Sequence, residues 1–205
     1  MAFLTDADRR RIADAIRQAE ARTSGEILTV IAPASDDYRF VPLLIAAAGA
    51  FIVQGIASLL MPSWGFPMLY ALQLASFVLL LLFLSWQPIT MRLIPTSVKQ
   101  ERARRLAQEQ FYAQGLHRTR DGTGLLLFVS VAEHYVEILA DYGIDRKVPP
   151  GAWAAIIGDF TRAVRERRVA DGFILAVTEC GDLLARDFPR RPDDKDELPN
   201  RLIEL

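Results

Sequence analysis

The chain has 205 residues, 51% of them hydrophobic, an apolar share above that of ordinary soluble domains, and its 24 Lys+Arg nearly balance 25 Asp+Glu. No overall basic field marks a nucleic-acid partner, and no strong acidity marks a disordered, solvating chain. One cysteine, Cys180, excludes an intramolecular disulfide, and two histidines, His117 and His134, are too few for a Cys/His zinc site, so a reducing compartment is expected.

The opening segment, Met1 to Asp8, lacks the basic region and apolar stretch of a secretory signal, so the amino terminus is expected to stay in the cytosol. Thr5 and Asp8 form a candidate capping pair, and Ile12, Ala15, Ile16 and Ala19 recur at helical spacing opposite Arg9, Arg10 and Arg17. Thr23-Ser24-Gly25 ends this amphipathic helix, and the run Glu26 to Ile31 reads as a strand buried on both faces. A helix and a strand cannot fold alone, so their partners must come later in the chain.

Two apolar stretches follow, Val41–Met61 with Gln54 and Phe66–Trp86 with Gln73 as the only strongly polar side chains, and each reaches the roughly 20 residues needed to span hydrocarbon. The turn Pro62-Ser63-Trp64-Gly65 permits only a tight helical hairpin, with Trp64 and Trp86 at interfacial positions. Basic residues sit on the flanks, Arg22 and Arg39 before the hairpin and Arg92, Lys99, Arg102, Arg104 and Arg105 after it, while the turn has none. The positive-inside rule then places both flanks in the cytoplasm. Ala46/Ala50 and Ala71/Ala75 have the spacing that lets helices approach closely in lipid, and Gln54 and Gln73 are expected to pair with each other.

Beyond the hairpin, Thr96 or Ser97 caps a helix to about Ala113, with Ala103, Leu106, Ala107 and Phe111 as its stripe and Gly115 at its end. Asp121-Gly122-Thr123-Gly124 introduces a central strand, Leu125–Val131, which forms a hairpin with Tyr135–Leu139. Pro149 and Pro150 open a helix carrying Trp153, Ile156, Ile157, Phe160 and Val164 on one face, and a last helix runs from about Ala170 to Asp187. The expected class is α/β, a small mixed sheet sandwiched between helices and interrupted by a two-helix transmembrane hairpin. Its parts are residues 1–40, the hairpin 41–87 with helices near 42–61 and 66–86, the second part 88–188, and a charged tail 189–205. The tail is expected to be disordered, apart from a short docking segment at Leu202-Ile203.

Thr23-Ser24-Gly25-Glu26-Ile27, Asp121-Gly122-Thr123-Gly124 with the leucines after it, Asp141-Tyr142-Gly143-Ile144 and the terminal helix pair resemble the TPM domain family. The resemblance covers nearly all of residues 5–187 outside the hairpin, and its specificity lies in the order of the motifs. This chain departs from the family in the inserted hairpin, in Thr123 where Asn or a similar residue is usual, and in Asp141 where the first glycine of a G-Y-G turn is usual. The resemblance implies acid phosphatase activity and binding of calcium or another divalent metal, properties reported for parts of the family.

Spacing adds one candidate: Asp121 precedes a strand while Asp141 and Asp145 follow its antiparallel neighbour, so the three carboxylates can meet at one sheet edge and take Ca²⁺ or Mg²⁺. The same aspartates can equally satisfy turn amides, with Asp145 capping or facing solvent beside Arg146 and Lys147. The chain has no Cys-x5-Arg, no D-x-D-x-T and no histidine cluster, so catalytic residues are not assigned. His117 and His134 read as loop and turn residues, and Cys180 as a core residue. Lys99, Arg102, Arg104 and Arg105 lie close enough after the hairpin to meet anionic headgroups, and Arg162, Arg165, Arg167 and Arg168 complement a helix end. The functional expectation is a two-pass protein of the inner (cell) membrane with both termini cytoplasmic. Its TPM-like domain would serve as a binding or accessory module for other membrane proteins, with the lipid bilayer as a second partner and no nucleic acid. A weak metal-dependent phosphatase is the alternative.

Overall fold

The computed structural model describes residues 4–149, 151–194 and 196–205, with backbone alone at Gln87 and Pro88. Pro150, expected to open a helix, lies outside the described residues, as do Met1 to Phe3 of the opening segment and Lys195 of the tail. The chain divides into two compact units, Met1–Ser35 with Arg102–Leu205, and Asp36–Glu101.

The first unit contains α1 (Asp6–Glu20), β1 (Glu26–Ala32), most of α5 (Thr96–Ala113), β2 (Gly124–Ser130), β3 (Tyr135–Ala140), the short α6 (Tyr142–Asp145), α7 (Ala152–Arg165), α8 (Val169–Asp187) and β4 (Leu202–Glu204). Thr5 caps α1 as expected: its Oγ1 accepts from the Asp8 N–H at 3.2 Å, and the Asp8 carboxylate accepts from the Thr5 N–H at 3.1 Å. The strands form one sheet in the order β3-β2-β1-β4, with β1 parallel to β2 and β4, and β2 antiparallel to β3.

Every residue of β1 and β2 is buried, as the unbroken apolar runs require of strands covered on both faces. Side chains alternate between two cores. Ile27, Ile31, Leu125, Leu127 and Val129 pack with Ile12 and Ile16 of α1, Phe160 of α7, and Phe173, Val177 and Leu184 of α8. Leu28, Val30, Leu126 and Phe128 face the other way, against Ala103, Ala107 and Phe111 of α5 and against Leu116. The alanines let α5 lie close on the sheet. Phe160 and Phe173 meet edge to face at 5.1 Å, joining α7 to α8.

The tail departs from expectation. The expected docking segment at Leu202-Ile203 forms β4, pairing Leu202, Ile203 and Glu204 with Thr29, Val30 and Ile31, and the departure lies in the charged stretch before it, which is held by ion pairs. The charge that argued against packing is consumed locally: Arg190 pairs with Asp196 at 3.3 Å, Arg120 with Asp193 at 3.1 Å, and Arg9 with Glu204 at 2.8 Å. Leu202 is thereby brought into the core.

The second unit holds α2 (Phe40–Leu60), α3 (Phe66–Leu84) and α4 (Gln87–Leu93). Both α2 and α3 are long and apolar enough to cross a membrane. They pack along a seam that includes Ala46 and Ala50, and at Gly49 a Cβ would come 2.8 Å from Leu80 Cδ1. Ala71 and Ala75 are exposed, so only the first of the two alanine pairs serves close approach. Gln54 and Gln73 are half-buried on this seam, with no hydrogen bond between them among the described residues. Elsewhere the helices present bare apolar side chains, Leu59 82% and Phe66 75% exposed among them. The second long helix stops at Leu84, earlier than the apolar run, because α4 begins three residues later and Thr90 Oγ1 donates to the Leu84 carbonyl at 2.6 Å.

Candidate functional site

The starts of β1 and β2 and the end of β3 lie at one edge of the sheet, where Thr23–Glu26, the loop before β2 and the turn after β3 converge. The Thr23 hydroxyl donates to the Phe188 carbonyl at 2.6 Å and accepts from the Gly25 N–H at 3.1 Å, tying the approach to β1 to the end of α8. The Thr123 hydroxyl donates to the Ser24 carbonyl at 3.0 Å, and the Asp141 N–H donates to the Gly124 carbonyl at 2.8 Å. Asp121 and Gly122 both adopt positive φ, 75° and 65°, which carries their carbonyls toward Gly143. A Cβ on Gly143 would sit 2.4 Å from the Asp121 carbonyl oxygen and 2.6 Å from that of Gly122, so the two loops interlock only because this residue has no side chain.

These loops border a cleft of about 770 Å³ lined by Ser24, Asp121, Tyr142, Gly143, Arg146, Lys147 and the segment Asp187 to Pro192. Four of its lining residues are cationic and two anionic, so an anionic group is favoured over a cation. The groups are internally engaged. Arg191 meets Asp121 at 2.8 Å, Lys147 donates to the Asp187 carbonyl at 3.1 Å and stands 4.3 Å from the Phe188 ring centre, and Arg146 lies 5.3 Å from that of Tyr142.

Of the carboxylates expected to share a metal, Asp121 and Asp141 do reach the same edge, a Cβ on Gly122 lying 3.5 Å from Asp141 Oδ2. They do not form a three-ligand centre with Asp145: no group of three His, Cys, Asp or Glu side chains able to hold an ion occurs among the described residues. Asp121 faces the guanidinium of Arg191, Asp141 caps α6 by accepting from the Tyr142 N–H at 2.7 Å, and Asp145 is exposed. A hard divalent ion needs several free oxygens, so this donor set does not suit Ca²⁺ or Mg²⁺.

The other singled-out residues fall as follows. His117 lies exposed in a 3-10 turn, 5.4 Å from the Tyr112 ring, and His134 occupies the β2–β3 turn with φ 52°. Cys180 is fully buried, which pushes its thiol pKa up and makes it inert. Among the basic residues after the hairpin, Lys99 bonds the Met91 carbonyl, Arg104 stands 3.8 Å from Glu137 and Arg105 pairs with Glu109 at 2.9 Å. Arg102 begins the sheet-packing part of α5.

Among the buried acids that escaped the sequence reading are Glu20 and Glu26. Glu20, 4% exposed, accepts from the Ile27 N–H at 2.9 Å, while its other oxygen has no hydrogen-bond partner among the described residues. Burial pushes its pKa up to about 8; the Ile27 N–H opposes the rise, Glu26 and Asp196 add to it, and Arg190 subtracts from it. Glu26 is also raised, chiefly by burial, although it accepts from the N–H groups of Glu197 and Leu198 at 3.1 and 3.2 Å. It therefore clamps the backbone of the tail. A glutamate opening a fully apolar strand was the available signal.

Residues 89–183 match the TPM domain. The fold is similar to that of the BA42 protein from the psychrophilic bacterium Bizionia argentinensis, solved by NMR, with a TM-score of 0.63 and 21% identity over 99% of this chain and 96% of that one. No curated protein matches the chain. The TPM match is thus confined to residues 89–183, and the likeness to the BA42 protein shows a shared fold, a mixed sheet among helices.

Proposed function

We propose that this is a two-pass integral membrane protein of the cell membrane whose TPM domain is a binding module for other membrane proteins. One observation carries the reading: in the most apolar windows of α2 and α3 only 11% and 6% of the residues are buried, so two membrane-length helices present bare apolar surface outside their mutual seam. A water-soluble chain of this size would have to cover that surface, whereas hydrocarbon covers it without further protein. An even number of crossings returns the chain to its starting side, and the cations at Arg39, Arg92, Lys99, Arg102, Arg104 and Arg105 support a cytoplasmic location for that side.

The binding role draws support from the cleft at the interlocked loops. Its cationic excess and internally paired groups suit recognition of an acidic segment or surface on a partner. The test has two parts. Alkaline carbonate should leave the chain in the membrane pellet, and a carboxyl-terminal reporter should be active only in its cytoplasmic form. Cross-linking in intact membranes should then yield a stoichiometric complex with another membrane protein that is lost in Arg146→Glu/Lys147→Glu. Release by carbonate would remove the membrane assignment, and a chain recovered without any such complex would remove the binding role.

A further inference from the structure

We propose that the open edge of β3 is an acceptor site for an extended segment of a partner protein, one that alternates apolar side chains with a basic side chain and joins the sheet as an added strand. The sheet runs β3-β2-β1-β4, so β3 has a strand on one side only. Its antiparallel pairing with β2 is unbroken from Tyr135 to Ala140, and the Asp141 N–H donates to the Gly124 carbonyl, which sets the phase of the ladder. Tyr135, Glu137 and Leu139 therefore bond toward β2, while the N–H and C=O groups of Val136, Ile138 and Ala140 point out of the sheet. These outward groups have no hydrogen-bond partner among the described residues. Edges are commonly blunted by Pro, Lys or a bulge, and β3 has none of the three.

The two faces beside this edge specify what an added strand carries. On one face, α7 packs over β3 and α8 over β1. Ala152, Ile156, Asp159 and Ala163 border α8, so Trp153, Ile157 and Val164 lie on the other flank of α7, above the edge. This ridge is incompletely covered: Trp153 and Ile157 are half-buried and Val164 is exposed. Side chains opposite Val136, Ile138 and Ala140 fall on that same face, where apolar groups extend the existing core and cover the ridge.

A side chain opposite Glu137 falls on the α5 face. Glu137 Oε2 is buried with no hydrogen-bond partner among the described residues, and Arg104, largely exposed, stands 3.8 Å from the other oxygen. Burial raises the Glu137 pKa despite the opposing effects of Tyr135 and Arg104, so its charge is under-compensated. Glu137 bonds toward β2 and thus occupies a non-hydrogen-bonded site with respect to the added strand, where cross-strand side chains approach most closely. A basic side chain there supplies the missing donor and an opposite charge. Backbone pairing then gives affinity, and the apolar-basic-apolar order gives selection. The surface runs along β3, at the opposite edge of the sheet from β4, so the chain's own tail stays in place when it is filled.

The test uses the full chain in mild detergent and a fluorescent peptide, acetyl-Val-Thr-Val-Lys-Val-Thr-Val-amide, which presents valines on one face and a central lysine on the other in either strand direction. Anisotropy should show saturable binding, and the peptide should slow amide exchange at Val136, Ile138 and Ala140 at least tenfold. N-methylation of one alternate set of peptide amides should weaken binding at least tenfold while methylation of the other set leaves it intact, a readout that changes nothing in the protein. Glu137→Lys should lose the lysine peptide and take up the same peptide with glutamate at its centre. Absence of binding at millimolar peptide, equal effects of the two methylated sets, or a Glu137→Lys chain that binds the lysine peptide like wild type each overturns the proposal. Exchange at the three residues that is already slow without peptide, and slows further with protein concentration, assigns the edge to a second copy and also overturns it.

Discussion

The change Glu20→Gln should stabilise the first unit and flatten its response to pH. The ordinary glutamate pKa of 4.5 applies to the unfolded chain, and the buried side chain is raised to about 8. Because the folded state binds the proton more tightly, its stabilising effect is fully present below pH 4.5 and is lost as pH rises through 8. At about 1.36 kcal/mol per pKa unit, the loss is at most about 5 kcal/mol above pH 8 and about 3 kcal/mol at pH 7. The Gln amide oxygen keeps the hydrogen bond from Ile27 N–H and cannot ionise. Denaturant unfolding of the full chain in mild detergent, followed by circular dichroism from pH 5 to 9, should show wild-type stability falling across this window. The variant should fall less and exceed wild type by a margin that grows with pH. Glu26, also raised by burial, leaves the variant a residual slope of the same sign. A wild-type stability that is flat or rises between pH 5 and 8, with Glu20→Gln less stable throughout, would refute the reasoning.

Thr29 is fully buried and its hydroxyl has no partner among the described residues, so Thr29→Val should raise stability by about 1 kcal/mol, measured by the same unfolding assay. Gly143→Ala forces a methyl group against two carbonyl oxygens and should cost about 2 kcal/mol or more, with enhanced amide exchange in the loop before β2. Phe160→Ala removes a ring from the fully packed α7–α8 contact and should cost about 3 to 5 kcal/mol by thermal unfolding. Asp121→Asn breaks a half-exposed ion pair and should cost no more than about 1 kcal/mol; the melting temperature of wild type should not rise with millimolar Ca²⁺ or Mg²⁺.

The elements that contact their neighbours continuously were legible in the sequence. Strand runs such as Leu125–Val129 announce burial on both faces, and the 3.6-residue recurrence of Ile12, Ala15, Ile16 and Ala19 shows which side of α1 meets the sheet. The apolar lengths of α2 and α3 were readable for the same reason, since each depends on local composition alone. The edge where Asp121 and Asp141 meet followed from antiparallel pairing. What the carboxylates do there did not, because Arg191 is seventy residues beyond Asp121 and its arrival depends on the path of the tail.

That path is set by the buried end of β1. A three-residue strand has too few side chains to show a period, and its surroundings of Asp, Glu and Arg have the composition of a solvated tail. The charges nevertheless become ordering contacts because their partners, Arg9, Asp121 and Arg120, are already fixed by the domain. Glu26 supplies the remaining constraint: a carboxylate held at the start of a fully covered strand needs donors, and here it finds them in two backbone N–H groups of a segment that would otherwise have no position. The stretch Thr23-Ser24-Gly25-Glu26 is thus divided in function. Thr23 holds the end of α8 and Glu26 holds the tail, so one short stretch closes the sheet edge on both sides of the connection.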